Sequence, residues 1–550
     1  MKIRIFEMIL LIIAFIFFFI CVIQKNKEQE TKTITKLNQW IYQNYSKILL
    51  VILVLGILVR LIGIGEVPKG IHIDEAGMAY DAYSISEYGT DRYGNQFPLY
   101  LENFGQGQSV MCLYLISPFI KLFGLNLYSI RIPIAMVSIL AMILAYLLVK
   151  EKKEKKTALL FLFLLAICPW HIMQARWALD CNLLSSFMIF STYAILKAKR
   201  KIGYVGAGIL VGLTIYTYVL SYIIVPIFLL LLLSYCLYLK KIKLTDIIVM
   251  GIPIFLLALP LLYMVLMNQG ILPQIDLSFV SIPNLTFYRA NEIGISNIKN
   301  NLNIFSILLF GDDMMYNVPH EFGTIYYLSI PFFFMGLCLA IANTIKSIRK
   351  KEFDFDTIML ITFISVLICM LLITEPKVNK ANAIFISIIY FTAIGLIFIF
   401  KQRKILFYVT IELYLISFTV FEVYYFTAFA NNTDIIYRRY FDNELISLTS
   451  YLEENYPERT VYFSMQDKKE PYIYTLIGNP IPPEEFKNSM KRINGTVVSY
   501  NNYIFYNQSF KDKEGIYILE QTDQEKIEYL IQNQFQVKEF GKYRIVYREI

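Results

Sequence analysis

Charge is what this sequence has least of. Of its 550 residues only 17% are Asp, Glu, Lys or Arg, against 57% hydrophobic, and mean hydropathy is +0.52. A soluble domain is nearer a quarter charged, so a purely cytosolic enzyme is excluded. Intrinsic disorder is excluded too, because a chain this apolar buries enough surface to offset its ordering entropy. Histidine and tryptophan occur three times each, and no two histidines have the close spacing of metal ligands. The seven cysteines, at 21, 112, 168, 181, 236, 338 and 369, sit in or beside apolar runs. The tail beyond 430 has none, so it is not a disulfide scaffold. There is no P-loop, nucleophile elbow, HExxH or CxxC pair, which removes support for ATP-driven transport. What is left is a multi-span membrane protein.

The net charge of +8 follows from position and is not a nucleic-acid footprint. Residues 1–429 hold 36 basic and 25 acidic side chains, and residues 430–550 hold 15 and 18. A bilayer core about 30 Å thick needs roughly 20 apolar residues per helix. Such runs lie at 5–23, 47–64, 128–149, 157–174, 181–196, 203–219, 222–239, 246–267, 323–345, 356–374, 383–400 and 405–426. The loops 24–47, 150–156, 197–201, 240–243, 346–351 and 401–404 carry 24 basic residues between them, which places all six on the cytoplasmic side. Segment 108–124 is nearly long enough to cross. If it crossed, every later basic loop would invert, so it reads as a surface or re-entrant helix inside one long outer loop, 65–127.

Three divisions follow. Residues 1–46 form an extra N-terminal span and cytoplasmic linker, preferred to a signal peptide because no small-x-small cleavage site follows the apolar run. Residues 47–429 form a transmembrane domain with outer loops 65–127 and 268–322. Residues 430–550 form an extracytoplasmic α/β domain, with strand-like runs at 460–464, 496–506 and 515–520, helical spacing over 523–534, and a terminal hairpin around Gly541.

Polar residues at membrane depth are functional candidates, and here they collect on the outer face. The loop 70–107 reads GIHIDEAGMAYDAYSISEYGTDRYGNQFPLYLENFGQG. Ala76–Tyr88 has helical spacing, so Asp74 is either its N-cap or a catalyst, and Glu75 is a first-turn charge favoured by the helix dipole. The turn PWHIMQARWALDCN (169–182) brings His171, Arg176 and Asp180 between two spans, beside Trp170 and Trp177. Arg176 there is either an i,i+4 partner of Asp180 or a phosphate ligand with paired donors. EPKVNKAN (375–382) offers Lys377 and Lys380, which otherwise snorkel. GDDMMYNVPHEFGTIY (311–326) offers Asp312, Asp313, His320 and Glu321, and Glu412 is an acid buried in the last span.

The runs IDEAGMAYDAYSI, FPLYLENFGQG, YSIRIPIAMVSILAMILAYLLVK and CPWHIMQARWALDCNLL, with GTIYYLSIPFFFMGL and VNKANAIFISIIY further on, resemble polytopic glycosyltransferases of the GT-C fold. The likeness covers roughly residues 50–400 and is nearest to family 39, which includes protein O-mannosyltransferases and the bacterial lipid A aminoarabinose transferase. It implies an all-α membrane domain of about 11–12 spans with surface helices in the first outer loop. It implies transfer, with inversion, of a sugar from a polyprenyl-phosphate donor to a cell-envelope acceptor on the outer face of the membrane. Matched by motif, Asp74 would be the general base, with Glu102 and Asp180 as further catalytic acids. Arg176, His171, Lys380, Glu75 and His320 would bind donor phosphate or substrate. The need for a divalent cation stays open. Gln174-Ala175-Arg176 departs from the family's small hydroxyl before Arg, and Asn103 stands where relatives carry Lys. The rival readings are a lipid-linked glycan flippase, which would need polar spans at midplane, and a polymer-assembly protein of the ligase or polymerase kind.

Overall fold

The computed structural model describes residues 2–23, 32–274, 276–277, 280–282, 292–431, 435–465, 468–512 and 514–548. Residues 24–31 of the expected lysine-rich loop 24–47 and part of the outer loop, 283–291, lie outside the described residues. The chain divides into two units. The first combines Met1–Ile64, Ile134–Pro260 and Ala290–Phe429, and the second Gly65–Pro133, Leu261–Arg289 and Ala430–Ile550.

The first unit is built of helices. Among the described residues, eight helices of the chain are long and apolar enough to cross a membrane: Lys2–Ile23, Leu127–Lys152, Ser221–Tyr238, Leu244–Asn268, Tyr327–Lys350, Phe355–Leu372, Asn379–Gln402 and Lys404–Phe429. Ile34–Gln43 and Tyr45–Leu61, bent by 75° at their junction, make a ninth if counted as one span. By length and apolarity alone, the described residues thus give fewer than the expected 11–12. The expected span 157–174 is two helices, Lys155–Ile167 and Pro169–Gln174, joined through an extended Cys168, because a residue before proline is driven out of the helical region. Lys201–Ile215 has 15 residues, roughly 22 Å of helix against a core of about 30 Å. Asp180–Lys197 begins with Asp180, Asn182, Ser185 and Ser186, which lower its hydropathy.

Small residues set the tightest helix contact. A Cβ on Gly336 would stand 1.7 Å from the Phe391 carbonyl oxygen, and one on Gly395 would stand 2.0 Å from that of Phe332. Helices Ile330–Lys350 and Phe385–Gln402 thus meet backbone to backbone. The first helix packs in this unit as well: buried Glu7 accepts the Tyr327 backbone N–H at 3.1 Å. Glu412, expected to be buried, is exposed, and the inward acid of that helix is Glu422.

Every strand among the described residues belongs to the second unit. In chain order they are β1 (Ile71–His72), β2 (Leu101–Asn103), β3 (Gln106–Gln108), β4 (Asp276–Leu277), β5 (Val280–Ser281), β6 (Phe441–Asp442), β7 (Val461–Phe463), β8 (Lys491–Ile493), β9 (Thr496–Tyr500), β10 (Tyr503–Phe505), β11 (Ile516–Glu520), β12 (Gln536–Phe540) and β13 (Tyr543–Tyr547). Seven form one sheet in the order β12-β13-β11-β7-β10-β9-β8, with β7 parallel to both its neighbours. Helix Gln524–Gln532 covers one face, burying Ile527 and Leu530 against Tyr517, Leu519, Phe535 and Val546. The strands and helix expected in the tail are present, and Gly541 (φ +55°) turns the terminal hairpin.

The tail from Ala430 shares its unit with the first outer loop, Gly65–Pro133. Strand β1 of the first loop pairs antiparallel with β6 of the tail, Ile71 opposite Asp442. Glu102 of β2 accepts a hydrogen bond from Arg492 of β8 at 2.8 Å. The segment 108–124 contains a helix of 13 residues, Met111–Phe123, about 20 Å long and too short to span.

Candidate functional site

In the second unit the acid helix runs Ile73–Tyr88. Its N-cap is His72, whose Nδ1 accepts the Asp74 N–H at 3.1 Å, while the Glu75 carboxylate accepts the His72 N–H at 3.3 Å. This reciprocal arrangement satisfies two of the orphan donors at a helix start. Asp74 is therefore not the cap: it is the second helical residue, and its side chain is 42% exposed. The His72 ring lies against Tyr440 (5.8 Å, 16°) and the edge of Phe441. Burial, with Lys468 nearby, pushes its pKa down to about 3. The ring is thus neutral, and its 3.8 Å approach to Asp74 is not an ion pair.

Glu75, by contrast, is consumed. It is fully buried and takes a two-pronged contact from Arg131, Nε to Oε1 and Nη2 to Oε2, both 2.9 Å. Arg131 also donates to the carbonyls of Pro68 (3.0 Å) and Gly70 (2.6 Å), so one guanidinium fixes the approach to the acid helix. Sequence reasoning passed over Arg131. The signal was there: a lone arginine at the head of an apolar run needs an acid. Asp81, one face further along, is held the same way by Arg92 (Nε–Oδ1 2.9 Å, Nη2–Oδ2 2.7 Å), which also meets Asn103 and Tyr472. Glu102 is nearly buried and bound to Arg492. Of the four acids Asp74, Glu75, Asp81 and Glu102, the exposed carboxylate is that of Asp74.

In the first unit the turn after Pro169 is interior. Arg176 has no exposed surface. It donates to the carbonyls of Val59 (2.8 Å) and Gly63 (2.9 Å), at the end of helix Tyr45–Leu61, and its guanidinium lies over the rings of Tyr425 and Phe426. A cation on the last carbonyls of a helix satisfies orphan acceptors and the dipole together. Arg60 does the same for helix Lys155–Ile167, donating to Leu165 and Ala166, and contacts Nδ1 of His171. Glu422 lies within electrostatic range of both arginines. Arg176 and Asp180 are not an i,i+4 pair of one helix, because the helix ends at Gln174 and the next begins at Asp180. Trp170 donates to Asn382 at 2.8 Å, and Asn382 donates to Cys181 O and Asn182. The arginine turn is thus tied to the turn 375–382. Arg60 and Glu422 were also missed, hidden among apolar neighbours.

The turn 375–382 keeps cations nearer the surface. Lys377 pairs with Asp313, and Lys380 stands 3.6 Å from Glu292 and donates to Thr374 O at 3.3 Å. Asp312 is buried and accepts the Val378 N–H at 2.7 Å, pinning the same turn. Burial raises its pKa. Glu321 accepts from Tyr424, while His320 offers its backbone carbonyl to Tyr327. Among the described residues no three His, Cys, Asp or Glu side chains converge as metal ligands.

Residues 107–264 match the family model of dolichyl-phosphate-mannose-protein mannosyltransferases. Among solved structures, ArnT from Cupriavidus metallidurans bound to undecaprenyl phosphate aligns with a TM-score of 0.56 at 11% identity, over 90% of this chain and 97% of that one. This chain has the GT-C fold. An Archaeoglobus fulgidus oligosaccharyltransferase, in complex with Zn and sulfate, also aligns at TM-score 0.50 and 14% identity, over 78% of this chain. The GT-C chain described here spans 61% of that protein's length. No curated protein sequence matches it. The family match takes in Arg131, His171, Arg176 and Asp180, while Asp74, Glu75 and Glu102 lie before its start.

Proposed function

We propose that this GT-C chain transfers a sugar from a polyprenyl-phosphate donor to a cell-envelope acceptor at the outer face of the membrane, with Asp74 as general base. One observation carries the reading. Of the first loop's DE pair, Glu75 is locked to Arg131, whereas Asp74 presents its carboxylate outward from the first turn of a helix. A base must reach its proton, and Asp74 is placed on a rigid element to do so.

In this reading an acceptor hydroxyl or amine gives its proton to an Asp74 carboxylate oxygen as its lone pair attacks the anomeric carbon. The bond from that carbon to the donor phosphate breaks, and the polyprenyl phosphate leaves with the electron pair, inverting the centre. Proximity supplies more of the acceleration than basicity does. The departing phosphate needs cations. Arg176, with both ends on carbonyls, is assigned to positioning, and Lys380 and Lys377, 20% and 24% exposed, are cations that the first unit keeps near its surface. Glu102 and Asp180 hold neighbours in place: Glu102 holds Arg492, and Asp180 accepts the Cys181 N–H at 2.8 Å. His171 and Glu75 are likewise structural, and His320 has no assigned role. No step is routed through a metal.

The test is transfer by the purified full chain from a panel of undecaprenyl-phosphate sugars, wild type against Asp74→Asn. An active Asn variant removes Asp74 from the mechanism. Cysteines placed at Gln108 and Leu125 should label from one face of the membrane. Labelling from opposite faces overturns the orientation.

A further inference from the structure

The tail does more than decorate the outer loop. Buried Lys468 is the hub of its contact with the acid helix. Its ammonium donates to the carbonyls of Arg438 (2.8 Å) and Phe441 (3.1 Å), lies 2.6 Å from the Asp442 carboxylate, and faces the Tyr474 ring. Asp442 also takes Lys542 at 2.9 Å, the Tyr543 hydroxyl, and the Leu445 N–H at 3.0 Å. The two ammonium groups hold its carboxyl well below the carboxylate range, despite burial. One side chain thereby fixes the backbone of residues 438–442.

That stretch is the one on which the start of the acid helix is built. Asp442 and Phe441 pair with Ile71 and His72, and Tyr440 and Phe441 wall the His72 ring. Gly70, at φ +80°, passes so close to Asp442 that a Cβ would stand 2.9 Å from its carbonyl carbon. Tyr437 reaches back to the Lys69 carbonyl at 3.0 Å. His72 in turn accepts the Asp74 N–H. The chain of contacts therefore runs Lys468, Phe441–Asp442, His72, Asp74, with every link before Asp74 buried.

We propose that Lys468 is a positioning residue for Asp74, acting through Asp442 and β6 to fix where the acid helix begins. As a statement about catalysis this rests on the transferase reading above. A base carried on a helix whose first turn frays loses orientation while the donor still binds, and misplacement by about 1 Å is worth ~10²-fold in rate.

The test uses Lys468→Met in the full chain, with Tyr440→Leu as a second variant that leaves the buried ion pair intact. Amide exchange at 71–76 should rise at least about tenfold, while the rest of the acid helix and the seven-stranded sheet keep wild-type protection. With an undecaprenyl-phosphate sugar as donor, kcat should fall ~10²-fold for Lys468→Met and less for Tyr440→Leu, at unchanged donor KM. Unchanged exchange at 71–76 in both variants overturns the inference, as does loss of protection spread evenly over the whole unit. If the wild-type chain transfers no sugar, the functional reading falls, and exchange alone still decides the coupling.

Discussion

The two units neutralise buried arginines by opposite means. In the helical unit, Arg60 and Arg176 lie on the carbonyls that close two helices. In the second unit, Arg92 and Arg131 take carboxylates in paired contacts. Where a helix ends inside a bundle, its last carbonyls are already unsatisfied, so a guanidinium placed there answers two needs at once. Where strands and turns satisfy their own backbones, a buried arginine must find an acid. The difference bears on why acidic residues crowd the first outer loop: Glu75 and Asp81 each hold a buried guanidinium, while the Asp74 side chain is 42% exposed.

The sharpest break in that contrast is Asp74→Asn. With His72 as the cap, substitution should leave the melting temperature close to wild type while transfer falls by ~10²–10⁴-fold, read in a transfer assay beside a thermal melt. Glu75→Gln should do the reverse. It strands a buried guanidinium, so stability should drop by about 3–5 kcal/mol, read by denaturation in detergent. Equal stability of the two variants would abolish the distinction between them.

Acid should reveal the cap. The folded pKa of His72, about 3 against an ordinary 6.5, is depressed for a base. The unfolded chain then binds more protons between those values, and stability is lost as pH falls below 6.5. The loss by pH 5 is about 2 kcal/mol. Melting of the second unit should track it, and His72→Asn, which keeps a capping oxygen, should flatten the dependence. A pH-independent melt would mean that the imidazole is not the cap. The smallest effect should come from the helical unit. Arg176→Lys keeps the charge over the carbonyls but loses the forked donors, for about 1–2 kcal/mol. A loss as large as that of Glu75→Gln would erase the contrast between the units.

What could be read from the sequence was local. The Gly541 hairpin, the helix over 524–532 and the strands of the tail all follow from spacing and turn residues a few positions apart. The parity of basic loops kept segment 108–124 out of the span count, and its 13-residue helix agrees. The misses fall at helix ends and helix faces. The cap reading of Asp74 fails because the helix starts at Ile73, three residues before the run with helical spacing, and an imidazole caps it. Arg176 and Asp180, four apart in sequence, are not on one helix, because the helix from Pro169 ends at Gln174 and the next begins at Asp180. The charge of Glu412 was read as buried, yet which face of that helix points inward is decided by neighbouring helices, and they chose Glu422.

The pairing of Ile71 with Asp442 has a consequence in time. The two residues are 371 positions apart (442 − 71). At a synthesis rate of about 5–20 residues per second, the first waits ~20–75 s for the second. Until then the helix that carries Asp74 lacks the wall behind its capping imidazole. A growing chain that has not reached residue 442 already holds the acid helix and yet lacks that wall. The start of the helix is therefore completed by a segment made long after the helix itself.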